Sequence, residues 1–232
     1  MKRTTKKRRR GRKYHLAKIK NLAPAHDLWG ERLEASDKTL IIACGALANE
    51  ITVLIRKNGW SHLKVRYLPA KLHNEPQKIT EQLQKNLRNA QNKFSKIYIG
   101  YADCGTGGQL DKLLEEFGVV RLPGAHCYEF FSGSKTFSEI VVEEIGSYFL
   151  TDFLVKSFES LIWRGMKIDQ YPELLQIYFE HYRKLVYLAQ TDNPELQTQA
   201  QEIAERLKLK YEYRFTGYGE LAPALAALSK AD

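Results

Sequence analysis

The sequence has few of the features that crosslink a chain or anchor it in a membrane. Its 232 residues include three cysteines, and a low, odd count argues against a disulfide framework and for reduced thiols in a cytoplasm. No apolar run approaches the ~18 residues that cross a bilayer, so we expect no membrane span. The basic N-terminus lacks an apolar core and a small-residue cleavage site, so we expect no secretory signal.

Acidic residues are absent from the first 20 positions, which hold eleven Lys and Arg. The chain carries a formal net charge of +9, but removing these eleven from 36 Lys and Arg leaves 25 basic residues against 27 acidic ones. We therefore predict a disordered basic arm and linker over residues 1–38. Three interpretations of the arm stay open: a solvated tail, a weak contact for nucleic acid or another polyanion, and a targeting signal.

Beyond residue 38, short apolar runs alternate with segments of helical spacing. This alternation predicts an α/β domain over 39–232 with a largely parallel, doubly wound sheet and helices on both faces. An aromatic-rich section predicts a helical insertion at about 126–183, with 136–163 largely helical. The predicted strands are 39–43, 65–69, 96–101, 119–122, 185–189 and 211–215, and the predicted helices outside the insertion are 45–57, 76–94, 109–117, 194–207 and 220–228.

All three cysteines and one histidine follow predicted strands directly. Cys44 ends the first strand, His73 follows the second, Cys104 the third and Cys127 the fourth. The carboxyl ends of parallel strands share one edge of a sheet, and ligands bind at that edge. We therefore expect these four side chains to line one crevice.

Three thiolates and an imidazole suit a soft or borderline cation, zinc first and an iron–sulfur cluster second. Cys44, Cys104 and Cys127 are the predicted metal ligands, and three protein ligands leave the open position that a catalytic metal needs. His73 is a fourth ligand or a general base. The alternative stays open that these cysteines are inert core residues, because no CxxC spacing is present.

A glycine-rich loop follows the third predicted strand. Gly105, Gly107 and Gly108 precede a helix, where exposed amides would bind an anionic cofactor or substrate group. The loop matches neither a Walker motif nor a dinucleotide fingerprint, and a tight turn is an equal alternative. Asp103 orients a ligand, acts as a base or caps the helix. Residues 190–192 and 217–219 are further candidates for substrate contact.

Six sequence blocks resemble a prokaryotic family catalogued as domain of unknown function 1638. The blocks are ACG at 43–45, LHNEP at 72–76, GYADCGTGG at 100–108, HCYE at 126–129, FLTDF at 149–153 and LAQTD at 188–192. The resemblance spans about residues 39–220. Members are often encoded beside corrinoid-dependent methyltransferase systems, so the resemblance implies methyl-group or thiol chemistry by association.

Two classes of function follow from these observations. In the first, the protein is a metal-dependent transferase whose zinc binds and activates a thiol or water for the transfer of a methyl or similar group, with a small thiol or methyl donor as the substrate and an iron–sulfur enzyme as its chemical variant. In the second, the same cleft binds a metal or ligand without catalysis, and the arm contacts a polyanion.

Overall fold

The strands of the protein form two parallel sheets. The computed structural model describes residues 36–143 and 145–230, and within them a four-stranded sheet precedes a three-stranded one. The predicted arm, and the linker as far as residue 35, lie outside the described residues. No helix in the described ranges is both long and apolar enough to cross a membrane.

The first sheet has the order β2-β1-β3-β4, with every pair parallel. Its strands are β1 (Ser36–Cys44), β2 (Leu63–Leu68), β3 (Phe94–Gly100) and β4 (Val120–Arg121). The central strand β1 reads as a continuous apolar run because it is covered on both faces, and each of its residues from 40 to 44 is buried.

The connections between these parallel strands contain helices. They are α1 (Ala48–Asn58), α2 (Gln77–Ala90) and α3 (Gln109–Phe117). Short 3₁₀ turns, Gly45–Leu47 and Ala70–Asn74, follow β1 and β2. Helix α1 ends at Gly59, where φ is +66° and glycine avoids the strain of a left-handed cap.

The second sheet has the order β5-β6-β7, again all parallel. Its strands are β5 (Ser147–Thr151), β6 (Lys184–Ala189) and β7 (Lys210–Phe215). Alternate residues of β6 enter different cores: Leu185 and Tyr187 pack on one face, and Val186 and Leu188 on the other. This alternation is the period of two expected of a strand.

Within the described residues, six helices and a π-helical segment follow β4 in the chain. They are α4 (Tyr128–Ser132), α5 (Ser134–Glu143), α6 (Asp152–Ser157), the π-helical segment Phe158–Trp163, α7 (Leu174–Phe179), α8 (Pro194–Arg206) and α9 (Leu221–Lys230). Leu221 and Leu225 of α9 pack in the core of the first sheet. Helix α9 therefore packs on the first sheet, although it follows the second sheet in the chain.

The predicted α/β class and parallel strands are confirmed, but three details of the prediction are wrong. The strands form two sheets instead of one. The section 136–163, predicted as largely helical, contains β5, whose aromatic run has helical neighbours on both sides. Helix α2 ends at Ala90, because Phe94 already begins β3. The division of the chain into an arm and a single domain stays a prediction.

Candidate functional site

Four candidate side chains follow the carboxyl ends of the four strands of the first sheet. Cys44 is the last residue of β1, and His73 lies in the 3₁₀ turn after β2. Cys104 lies in the loop after β3, and Cys127 immediately precedes α4 after β4. The predicted placement at one edge of a parallel sheet is confirmed.

The thiol of Cys44 lies beside the ring of His73. The distance from Sγ of Cys44 to Nδ1 of His73 is 3.9 Å, and Sγ also accepts a hydrogen bond of 3.3 Å from the amide of Ala46. Burial raises the pKa of Cys44 to about 12, although the Ala46 amide favours the thiolate. The free thiol is therefore protonated at neutral pH.

The tautomer of His73 follows from its hydrogen bond. Nδ1 lies 2.9 Å from the carbonyl oxygen of Ala70, which can only accept, so Nδ1 carries the proton. Burial lowers the pKa of His73, and the ring is neutral. Its Nε2 is then an acceptor, and this atom is buried without a hydrogen-bond partner among the described residues.

Two backbone hydrogen bonds join the loops that carry Cys104 and Cys127. The amide of Cys104 donates to the carbonyl of Ala125 at 3.0 Å, and the amide of Asp103 donates to that of Gly124 at 3.3 Å. Cys104 has a φ of +50°, which is unusual for a residue other than glycine. The loop pairing holds this conformation and fixes the two cysteines relative to each other.

The thiols of Cys104 and Cys127 are also held in the protonated form. Burial raises the pKa of Cys104 to about 11, against the opposing effect of the amides of Ala102 and Cys127. Burial raises the pKa of Cys127 well above its ordinary value, and the neighbouring Cys104 and Cys44 add to the rise. The cysteines are therefore close enough to raise one another's pKa, and all three are free thiols.

Tyr101 neighbours all of these groups, and the sequence analysis did not single it out. Burial raises the pKa of its hydroxyl, and Cys44, Cys104 and Cys127 raise it further. Its ring stacks on His73 with centroids 6.2 Å apart and planes 14° apart. The hydroxyl is buried, and its interaction with the Cys44 thiol is one of the causes of the raised pKa.

The described side chains do not form a ready-made metal centre. Within residues 36–143 and 145–230, no group of three or more His, Cys, Asp and Glu is arranged to hold a metal ion. The three thiols supply soft donors, but as placed they do not converge on one point. Binding of an ion would require them to turn.

The carboxylate of Asp103 is engaged by its own loop. Oδ1 accepts hydrogen bonds from the Thr106 hydroxyl at 2.7 Å and the Gly108 amide at 2.9 Å, and Oδ2 accepts one from Gly107 at 3.3 Å. Partial burial raises the pKa of Asp103, but these hydrogen bonds and Arg121 outweigh it, so the pKa lies below its usual range. This geometry favours a positioning role for Asp103.

The predicted glycine loop is a chain of left-handed turns. Gly105, Gly107 and Gly108 have φ values of +82°, +62° and +81°, a region that favours glycine. The amides of Gly107 and Gly108 already donate to Asp103. The tight-turn interpretation accounts for these glycines, and an anion bound there would compete with the Asp103 carboxylate.

A cavity of about 100 Å³ adjoins the thiol cluster. The first sheet contributes loop residues that include His73 and Cys127, and the second contributes β5, α6 and the π-helical segment. The cavity therefore lies between the carboxyl-end loops of both sheets. No single stretch of sequence identifies it, because its walls come from distant segments.

A buried carboxylate organises the edge of the second sheet. Asp152 is buried and accepts four hydrogen bonds: from the Tyr187 hydroxyl at 2.7 Å, the Gln190 amide at 2.9 Å, and the amide and hydroxyl of Thr191 at 3.0 and 2.5 Å. Its own amide donates to the Gln190 side chain at 2.8 Å. The preceding residue, Thr151, caps α6, and its hydroxyl accepts a hydrogen bond from the amide of Leu154.

Glu50 is a second buried carboxylate that the sequence analysis missed. It is 2% exposed, and no group in the described part of the chain forms a hydrogen bond with its Oε2. Burial raises its pKa, and the neighbouring Asp152 raises it further. The spacing of Glu50 with Leu47 and Leu54 on one face of α1 was the available signal.

Comparison with known proteins assigns the chain to a family. The model of a family described as Protein of unknown function (DUF1638) matches residues 67–225. No curated protein and no solved structure matches the chain. The family match covers more than half of the chain and includes the loops of His73, Cys104 and Cys127. The protein therefore belongs to the DUF1638 family.

Proposed function

We propose that the protein is a metal-dependent transferase that acts on thiols or methyl groups. In this proposal Cys44, Cys104 and Cys127 bind a zinc ion, and the open position of the ion receives the substrate. The observation that carries the proposal is that three free thiols lie near enough to the buried hydroxyl of Tyr101 for each of them to raise its pKa. Nε2 of His73, an acceptor for which the described residues supply no donor, lies beside them.

The raised thiol pKa values are compatible with a metal. In the free protein, burial and mutual repulsion disfavour the thiolates. A bound cation reverses this balance, because it deprotonates a coordinating thiol outright. Binding therefore releases protons and turns the side chains inward, a rearrangement that interface side chains commonly make.

His73 is proposed as the general base and Asp103 as the residue that positions the Cys104 loop. Nε2 of a neutral imidazole can accept a proton from an incoming thiol, and His73 adjoins both Cys44 and the cavity. A zinc ion held by the three cysteines would favour the thiolate form of the incoming thiol, and that thiolate would be the nucleophile for group transfer. Gly105, Gly107 and Gly108 keep the loop in the turn conformation that Asp103 stabilises.

Two alternatives to the zinc enzyme use the same cleft: one has a different metal group, and the other has no catalytic activity. An iron–sulfur cluster would use the same thiolates. A non-catalytic protein would hold a metal or small ligand in the cleft, with the arm 1–20 on a polyanion. The free thiols favour a reducing compartment, and we propose the cytoplasm.

The experiment that tests the proposal is elemental analysis and absorption spectroscopy of protein purified anaerobically, followed by turnover assays with thiols and methyl donors. Zinc at about one equivalent without colour supports the zinc enzyme, and a brown protein with iron and sulfide supports the cluster. Metal without turnover supports the binding protein. Protein that contains neither metal and takes up neither on addition contradicts the proposal.

A further inference from the structure

The cavity beside the thiol cluster has apolar walls from both halves of the protein. Leu47 and Phe131 line it from the first sheet's side, and Leu154 and Ile162 line it from α6 and the π-helical segment. Its volume is about 100 Å³. An engineered cavity of about 150 Å³ takes benzene, so this one suits a molecule of a few heavy atoms and is too small for a nucleotide.

The charge of the lining restricts the ligand. No Asp, Glu, Lys or Arg is among the described residues that line the cavity. A charged ligand would lose its hydration there without gaining a counter-ion. The cavity therefore favours an uncharged molecule.

The polar groups of the lining restrict the ligand further. The side-chain amide of Asn74 donates to the carbonyl of Leu161 at 3.3 Å, and the Thr151 hydroxyl accepts from the amide of Leu154 at 3.3 Å. Nε2 of His73, by contrast, is an acceptor to which no group within the described ranges donates. A ligand that brings one donor group satisfies it.

We propose that this cavity binds a small uncharged alkyl thiol or alcohol, whose S–H or O–H donates to Nε2 of His73 while its alkyl chain packs on Leu47, Phe131 and Ile162. Because Nε2 is buried in the free protein, the imidazole shifts slightly as the ligand enters. The proposal deepens the proposed function and rests on it for the role of the thiol as substrate, but the binding itself requires no metal.

The test is calorimetric titration of the metal-free, full-length protein under reducing conditions. The probes are 1-propanethiol, 1-propanol, ethyl methyl sulfide and 3-mercaptopropionate. Ethyl methyl sulfide is an isomer of 1-propanethiol without the S–H donor, and 3-mercaptopropionate adds a negative charge. We expect the thiol and the alcohol to compete for one site, and the other two to bind at least about tenfold more weakly.

Variants assign the binding to His73. His73→Phe keeps an aromatic ring against Tyr101 and removes the acceptor, so we expect binding of 1-propanethiol to weaken at least about tenfold. His73→Gln supplies an amide oxygen as acceptor and should bind 1-propanethiol more tightly than His73→Phe does. His62→Phe, at an exposed histidine, leaves binding unchanged. Leu154→Trp fills the cavity and abolishes binding of both ligands.

Several outcomes would overturn the inference. They are no binding of 1-propanethiol, equal binding of its sulfide isomer, tighter binding of 3-mercaptopropionate, or full binding by His73→Phe. Metal uptake is measured separately on the same preparations. A failed ligand titration with normal metal uptake contradicts this inference alone, and failed metal uptake with normal ligand binding contradicts the proposed function alone.

Discussion

Sγ of Cys44 and Nδ1 of His73 lie 3.9 Å apart although 29 positions separate the two residues in the chain. The contact arises because β1 and β2 are parallel neighbours, with Cys44 opposite Leu68 at their carboxyl ends. Nδ1 donates its proton to Ala70, so it does not act as a base toward Cys44. The pair therefore consists of a protonated thiol and a neutral imidazole.

We predict that Cys44 makes the metal-free protein sensitive to alkali. Its pKa is raised from 9.0 to about 12 on folding, so its stabilising contribution is complete below pH 9 and is lost as the pH rises toward 12. The difference in unfolding free energy between wild type and Cys44→Ala should therefore shrink by about 2 kcal/mol between pH 8 and pH 10.5. Urea denaturation at each pH measures it.

The comparison between the two proteins removes the effect of other groups that titrate in this range, because they are present in both. Curves that stay parallel from pH 8 to pH 10.5 would mean that the Cys44 thiol has an ordinary pKa, and the buried cluster described above would then be wrong.

We predict that Asp103 stabilises the loop of Cys104. Asp103→Ala removes the acceptor of the Thr106 hydroxyl and of the Gly107 and Gly108 amides, and should cost about 1–2 kcal/mol of unfolding free energy. Asp103→Asn keeps one oxygen acceptor and should cost less. Thermal denaturation measures both. An Asp103→Ala protein of wild-type stability that has lost activity would favour the catalytic-base interpretation instead.

We predict that Asp152 is essential to the second sheet. Asp152→Ala leaves the buried Tyr187 hydroxyl and the Gln190 amide, together with both Thr191 groups, without an acceptor, and should cost about 3 kcal/mol or more. Asp192→Ala is the matched control, because Asp192 is exposed and accepts a single bond of 3.2 Å from Gln197. It should change stability by less than about 0.5 kcal/mol. Equal effects of the two substitutions on denaturant midpoints would refute this role.

The sequence predicted the first sheet and the placement of its thiols well. The run from Leu40 to Cys44 is apolar without interruption, as a strand buried on both faces must be. Once the strands were parallel, the residue after each of them had to lie at one edge. Cys44, His73, Cys104 and Cys127 were therefore brought together by topology alone.

Strand β5, the role of Tyr101 and the cavity could not be predicted, because each depends on contacts between segments that are distant in the sequence. Strand β5 is five residues long and lies between aromatic helices, so its period of two was hidden. Tyr101 gained significance only from the thiols that surround it. The cavity requires His73 and Ile162, from different halves of the chain, to face one space.

Zinc titration of the metal-free protein is the measurement that tests the central claim most directly. We predict that wild-type protein binds one zinc ion and releases protons as it does so, because the thiols are protonated beforehand. Cys44→Ser, Cys104→Ser and Cys127→Ser should each weaken binding at least about 100-fold, since serine is a poor ligand for a soft site. His62→Ala serves as the control. Wild-type protein that binds no zinc, or serine variants that bind it as tightly as wild type, would contradict the account.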